Sequence, residues 1–329
     1  VVDIDRSSRD VVLATGERIG YERVLLATGA TARPLPMAAG FSGVHTLRTH
    51  DDAVRLRASL LLAKRVTVIG GGFIGLEIAY AAISLGCEVT VLEAAERLLG
   101  RAVPAEIASV VHARHAAAGA MIRLSVALSS ISESDTAVTV TLDDGTAVDS
   151  DVLIVGIGAV PETALAEKAG LDVDNGIKVN SHLLTSDPHV FAAGDCCSFP
   201  HPLYDGRRVR LEAWRNAQDQ AVVAAHNMLG DGRVYDAVPW FWSDQHDLSL
   251  QVAGLPGEAV TEVVRSRPDG VDIRYGLSAT GRLVSAAAVG AGNTVAKDVR
   301  LAEMAIAKRI VADPALLADP TVNFKRFLR

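Results

Sequence analysis

Residue type and spacing first suggest chemistry at Gly70-Gly71-Gly72-Phe73-Ile74-Gly75, which satisfies G-x-G-x-x-G. A lone match is weak, because a ligand-free glycine turn has the same letters. Here the run follows Val66-Thr67-Val68-Ile69, opens an apolar stretch of helical character and leads into Glu88-Val89-Thr90-Val91-Leu92-Glu93. Strand, glycine turn, helix, then a strand ending in an acid is the context the dinucleotide-binding fingerprint requires. Gly70 permits the tight turn, Gly72 lets backbone approach a pyrophosphate, and Gly75 lets helix pack on strand. The helix start, with Phe73 and Ile74, offers free N–H groups and partial positive charge to phosphates. Glu93 stands near the spacing of about 20 residues at which an acid takes the ribose hydroxyls. A carboxylate there accepts both hydroxyl protons and repels a 2′-phosphate, so NADH is favoured over NADPH. The plain alternative is a surface glutamate at a strand end. Arg97, four residues on, is placed to soften the preference.

The framework around this loop reads as α/β over residues 65–160. Phe73 to Leu85 is an expected helix closed by Gly86, and Pro104 to Ala118 another closed by Gly119. Residues 136–148 alternate as a hairpin around Asp143-Asp144-Gly145, and Asp151 to Val155 is a buried strand. Before this unit come a hairpin turning at Ala14-Thr15-Gly16, a short strand at Val24 to Ala27, a loop over 31–48 and a helix from Asp51 to Leu62. After it, residues 161–230 return to loop, strand and helix. From about residue 236 short alternating strands precede a helix at 294–311 and a tail to Phe327. Two of the short strands end suggestively, one at Ala27-Thr28-Gly29 and one at Gly194-Asp195. Each alone is only a strand end with a glycine, or an N-cap for the next turn.

Composition bounds the rest. A chain of 329 residues, half of them apolar, is too long for one ordinary core and implies two or three domains. A net charge of −7 disfavours a general nucleic-acid binder. Cys87, Cys196 and Cys197 make no disulfide framework and fit a reducing, cytoplasmic compartment. Residues 66–92 are apolar, but the glycine cluster and Glu77 break them into strand, turn, helix and strand, so no membrane span is expected. No charged-then-apolar leader follows Val1, and no signal peptide is expected. The adjacent Cys196-Cys197 pair has a strained geometry for a bridge and reads as two small buried residues. The nine histidines show no metal spacing, and His112 and His115, on a helix face with alanines, are expected at the surface. The arginines at 207, 208 and 210 read as a solvated charge run, with a partner patch as the alternative.

Taken together, LLATGATARPLP, VTVIGGGFIGLEIA, IVGIGAVPET, TSDPHVFAAGDC, EAWRNAQDQA and VPWFWSDQ run in an order that covers essentially the whole chain. In that order they resemble the FAD-dependent pyridine-nucleotide oxidoreductases with two dinucleotide-binding domains. The subgroup is that of the reductases of oxygenase-linked ferredoxins. The resemblance implies an α/β fold of two Rossmann-like domains plus a C-terminal α+β domain. The implied division is 1–48 for part of the FAD domain, 49–160 for the NAD domain, 161–235 for the FAD domain continued, and 236–329 for the C-terminal reductase domain. It also implies that Ala27, Thr28, Gly29, Arg33, Gly194 and Asp195 hold FAD, Asp195 through the ribityl hydroxyls. Glu212, Ala213 and Trp214, in the segment running on to Asn216 and Gln218, would lie by the flavin ring, with Trp242 covering it. Gly156 and Gly158 would line the NAD site at the crossing between domains. Glu77 would approach the flavin–nicotinamide junction; its bland reading is helix-dipole placement. Glu162 stands where many relatives carry asparagine. For Trp240-Phe241-Trp242 the bland reading is a core aromatic cluster with at least one tryptophan in the core.

The function implied is transfer of electrons from NADH through FAD to a 2Fe–2S ferredoxin serving an oxygenase, in a monomer or homodimer. Another acceptor on the same scaffold (rubredoxin, oxygen, peroxide) stays open, as does a flavin-free NAD-binding module. The chain holds no second G-x-G-x-x-G. The resemblance places the FAD pyrophosphate loop before Val1, so a polypeptide of this sequence alone is expected to bind NADH but retain FAD poorly.

Overall fold

The computed structural model describes residues 1–100 and 102–328. Its centre is a five-stranded parallel sheet in the order Val44–His45, Val152–Val155, Arg65–Ile69, Glu88–Leu92, Met121–Arg123. The middle strands are short β-branched runs buried on both faces, as parallel sheets require. One face carries the helices His50–Leu60, Phe73–Ser84 and Ala105–Ala117; Leu76, Ala79 and Ala82 of the second pack flush on Val66, Val68 and Val91. The other face is closed by an antiparallel meander of Leu128–Glu133, Val138–Leu142 and Ala147–Ser150. Thr49 opens the first helix with a reciprocal capping box to Asp52.

A second unit joins the two chain segments that flank this sheet. Val24–Leu26 pairs in parallel with Val190–Ala192, and Ala30–Ala32 pairs antiparallel with Ala159–Pro161. The helix Trp214–Met228 contributes Ala224 to its core beside Cys196 and Cys197. A third unit is an antiparallel sheet in the order Trp240–Gln245, Leu248–Gly254, Leu283–Ala291, Asp272–Leu277, Thr261–Ser266, covered by the helix Ala296–Ala307. Leu250, Val252, Ala287 and Val289 of this sheet share a core with the helices Phe73–Ser84 and Ala105–Ala117.

The structure refines the expectations. The expected hairpins at 14–16 and 143–145 form. The expected loop over 31–48 instead holds the strands Ala30–Ala32 and Val44–His45, the latter an edge of the central sheet. Among the described residues no helix is long and apolar enough to cross a membrane. His115 corrects the surface assignment. It is fully buried, because it shares the Ile107, Ala108 and Val111 side of its helix, which packs against the strand Leu283–Ala291, while Ala113, Ala116 and Ala117 face solvent. The arginine run is not simply solvated either. Arg208 donates to the carbonyls of Val179 and Ser198, and Arg210 pairs with Glu212.

Candidate functional site

At the nucleotide loop the glycines answer to steric demands. Gly70 has φ +106°, and a Cβ there would lie 2.4 Å from the Gly156 carbonyl oxygen. A Cβ on Gly75 would lie 2.1 Å from the Gly70 oxygen, so this glycine seats helix against strand. A Cβ on Gly72 meets nothing within 4 Å, because this residue faces open space. That space is a cleft of about 630 Å³ lined by the loop, Phe73, Glu93, Val126 and the Gly156-Ile157-Gly158 crossing. Ile74 lies outside its lining and is exposed.

Glu93 binds the loop as well as facing the cleft. Its Oε2 accepts from Gly71 N at 2.6 Å and its Oε1 from Ala95 N at 2.7 Å. Each carboxylate oxygen keeps a lone pair for a sugar hydroxyl. Arg97 is spent on its own segment: Nη2 donates to the carbonyls of Gly100 at 2.7 Å and Val103 at 3.1 Å. It is therefore tied down rather than free to greet a 2′-phosphate.

The two suggestive strand ends meet. Asp195, at the end of Val190–Ala192, accepts from Arg48 Nη2 at 2.7 Å, and Arg48 also faces Gly29. Gly194, at φ +83°, donates its N–H to Gln220 Oε1 at 2.7 Å. Thr28 Oγ1 donates to the Glu162 carbonyl and Glu162 N donates to Gly29, so Glu162 works through its backbone. Arg33 N donates to Gly158 O, which fastens the crossing. Arg48 and Gln220 escape a sequence reading, since their partners lie 147 and 26 residues away.

A second cleft, about 790 Å³, runs along Glu212, Ala213, Trp214, Asn216, Phe241 and Trp242. Ala213 opens the helix Trp214–Met228 without a side-chain cap, leaving its first N–H groups to other partners. Asn216 turns inward and bonds Tyr235. Trp242 is 43% exposed and stacks on half-buried Trp240 at 5.3 Å, with Trp214 edge-on at 6.3 Å. Trp240 packs against the C-terminal core while Trp242 does not, so the cluster is a cleft wall more than a core. Phe73, edge to face with Phe241 at 5.1 Å, lines both clefts and joins them. One turn on from Phe73, Glu77 accepts from Ser243 Oγ at 2.5 Å. Although its side chain reaches solvent, neighbouring protein partly desolvates the carboxyl and raises it above the ordinary range; the Ser243 hydroxyl opposes this, and the charge of Asp244 adds to it.

The profile of the pyridine nucleotide-disulphide oxidoreductases matches residues 1–221, more than half of the chain. The chain belongs to this family. A reductase C-terminal domain matches residues 240–328. Within the family the chain is 43% identical over 328 residues to the ferredoxin–NAD(+) reductase component of the anthranilate 1,2-dioxygenase system of Burkholderia cepacia, covering 99% of this chain and 79% of that protein. It is similar in structure to the ferredoxin reductase of the CYP199A2 system from Rhodopseudomonas palustris. The TM-score is 0.93 at 37% identity, over 100% of this chain and 80% of that one. The reductase in the covalent putidaredoxin reductase–putidaredoxin complex superposes with a TM-score of 0.90 at 36% identity, over 99% and 79% of the two chains.

Proposed function

We propose that this oxidoreductase takes hydride from NADH in the glycine-loop cleft and passes electrons, through FAD in the aromatic cleft, to a 2Fe–2S ferredoxin serving an oxygenase. The observation that carries the reading is that the two clefts meet at Phe73. Bound there, FAD converts a two-electron donor into one-electron steps. The residues present suit it. In the cleft the uncapped helix start at Trp214 offers donors; outside its lining, Asp195 offers acceptors at a strand end, beside Gly194 and Gly29 in left-handed backbone. Glu93 takes the adenosine ribose of NADH, Gly72 admits the pyrophosphate, and Gly156 and Gly158 form the far wall. Glu77 stands one helical turn from Phe73, where the clefts join. There its carboxylate favours positive charge as the nicotinamide gives up hydride. Trp214 and Trp242 exclude water from one side.

The acceptor reading draws on the relatives named above and on the thiols. All three cysteines are free and buried, and burial pushes the Cys197 thiol far up, so no reactive dithiol stands in either cleft. The same reduced, buried thiols support a cytoplasmic location. Supplied with FAD, the protein should reduce a 2Fe–2S ferredoxin with NADH faster than oxidised glutathione or thioredoxin, and the rate should fall with salt where charges steer docking. Steady disulfide reduction without ferredoxin activity refutes this assignment.

A further inference from the structure

Behind Glu77 four side chains continue in one line. Ser243 Oγ donates to Glu77 Oε1 at 2.5 Å, and Gln245 Nε2 donates to Ser243 Oγ at 2.9 Å. Gln245 Oε1 lies 2.8 Å from His115 Nε2, and His115 Nδ1 lies 3.3 Å from His246 Nε2. The links are buried: His115 is 0% exposed, and Ser243 and Gln245 each 2%. They cross a boundary, since Glu77 and His115 stand on helices of the nucleotide sheet while the other three belong to the C-terminal domain. His246 holds its place from a turn at φ +58°, a backbone region that costs a residue with a side chain free energy, and its ring packs on Tyr80 at 4.6 Å.

The donor–acceptor order follows from the chemistry of the ends. An ionised carboxylate only accepts, so the Ser243 hydroxyl points at Glu77 and its oxygen must accept from the Gln245 amide nitrogen. That turns the amide oxygen to His115, which must then carry its proton on Nε2. Its bare Nδ1 accepts from His246 Nε2–H. Burial holds both imidazoles neutral, His115 below its ordinary value and His246 pushed down to about 4. Arg114 and His112 beside His115, and Arg114 with Asp247 beside His246, are the other charged or titratable neighbours, and Asp244 is the one facing Glu77.

We propose that Ser243, Gln245, His115 and His246 are positioning residues whose one-way hydrogen-bond chain keeps Glu77, one helical turn from Phe73, an oriented, ionised acceptor. When Glu77 takes a proton from solvent, the order reverses. The Ser243 hydroxyl turns away, the Gln245 amide flips, His246 takes a solvent proton on Nδ1 and passes its Nε2 proton to His115 Nδ1, and the His115 Nε2 proton returns to solvent in a transient opening, so each imidazole keeps one proton. The His115 tautomer thereby reports the charge of Glu77 from the far side of the domain boundary. Only the consequence for nucleotide binding rests on the proposed function.

The test is nuclear magnetic resonance on the full chain without nucleotide, following the Glu77 carboxyl carbon and the imidazole nitrogens against pH, with Glu77→Gln for assignment. Ser243→Ala should raise the Glu77 midpoint by about one pH unit, the worth of one charge-assisted hydrogen bond, and Ser243→Thr should restore it. His115 should be the Nε2–H tautomer above the Glu77 midpoint and exchange with that midpoint; in Ser243→Ala the linkage should vanish. A midpoint unmoved by Ser243→Ala, or a His115 proton on Nδ1 while Glu77 is ionised, overturns the proposal. As the functional readout, NAD+ affinity should fall about tenfold in Glu77→Gln, with NADH affinity less changed. Failure to bind either nucleotide at any pH strikes at the proposed function, while the titration still decides the chain.

Discussion

Glu93→Arg separates two jobs that a strand-end acid performs at once. Contact with the ribose hydroxyls sets the preference for NADH, and the bonds from Gly71 N and Ala95 N, at 2.6 and 2.7 Å, hold the loop. Hydrogen bonds to an ionised carboxylate contribute about 1.5–3 kcal/mol each. Losing even one leaves a backbone N–H unpaired at the mouth of the cleft. A loop cost of about 1.5 kcal/mol already weakens NADH about tenfold, and loss of the ribose contact adds to it. The arginine supplies charge for a 2′-phosphate but cannot accept from Gly71 or Ala95, so NADPH should gain less than NADH loses. Titration of both nucleotides against parent, Glu93→Gln and Glu93→Arg should therefore show NADH favoured at least about tenfold in the parent. Both variants should lose NADH affinity, and the gap should narrow in Glu93→Arg. A parent that binds NADPH as well as NADH, or a Glu93→Gln variant with unchanged NADH affinity, refutes the reasoning.

Gly75→Val should lower the melting temperature and abolish NADH binding together, because the new Cβ meets the Gly70 oxygen at 2.1 Å and overpacking costs about 1–3 kcal/mol or more; unchanged melting would count against the tight helix seat. Buried His201 is pushed down to about 4, first by burial, with the Ala237 carbonyl and Asp236 opposing. Its Nδ1 accepts from Leu203 N, so it must stay neutral in the folded chain. The unfolded state then binds the extra proton between about pH 6.5 and 4. The resulting stability, about 3 kcal/mol, is complete above that window and lost as pH falls through it. Melting curves across the window should flatten in His201→Gln, and an equal slope in parent and variant would remove the assignment. Arg48→Met should destabilise by about 1 kcal/mol by stranding Asp195, and Asp195→Asn beside it should recover part, giving a nonzero coupling in a double-mutant cycle.

The features that sequence alone makes legible are those imposed by backbone sterics over short spans. Gly70 and Gly75 are readable because the loop admits no Cβ there, and the strands at 65–69, 88–92 and 152–155 because burial on both faces selects β-branched runs. The Val44–His45 strand is not readable: two residues carry no periodicity, and only pairing with Leu153 and Ile154 makes them a strand. Polar partners are hidden for a different reason. Arg48 looks like the residue before a helix cap, Gln220 like one more polar residue of an amphipathic helix, and Arg97 like a free cation. Each gains its meaning from an acceptor that the fold, not the spacing, brings to it. His115 is the sharpest case. A histidine among alanines reads as weakly amphipathic surface, and Ala113, Ala116 and Ala117 do face solvent; the ring lies on the other side, with Ile107, Ala108 and Val111, under the alanine-rich strand Leu283–Ala291. Burial then forbids the charged imidazole and demands partners for both nitrogens. The nearest donors and acceptors are Gln245 and His246, about 130 residues further along the chain. A histidine in line with Ile107 and Val111 at helical spacing is thus a sign of a covering element whose polar groups must bond it, and here those groups form the chain that ends on Glu77.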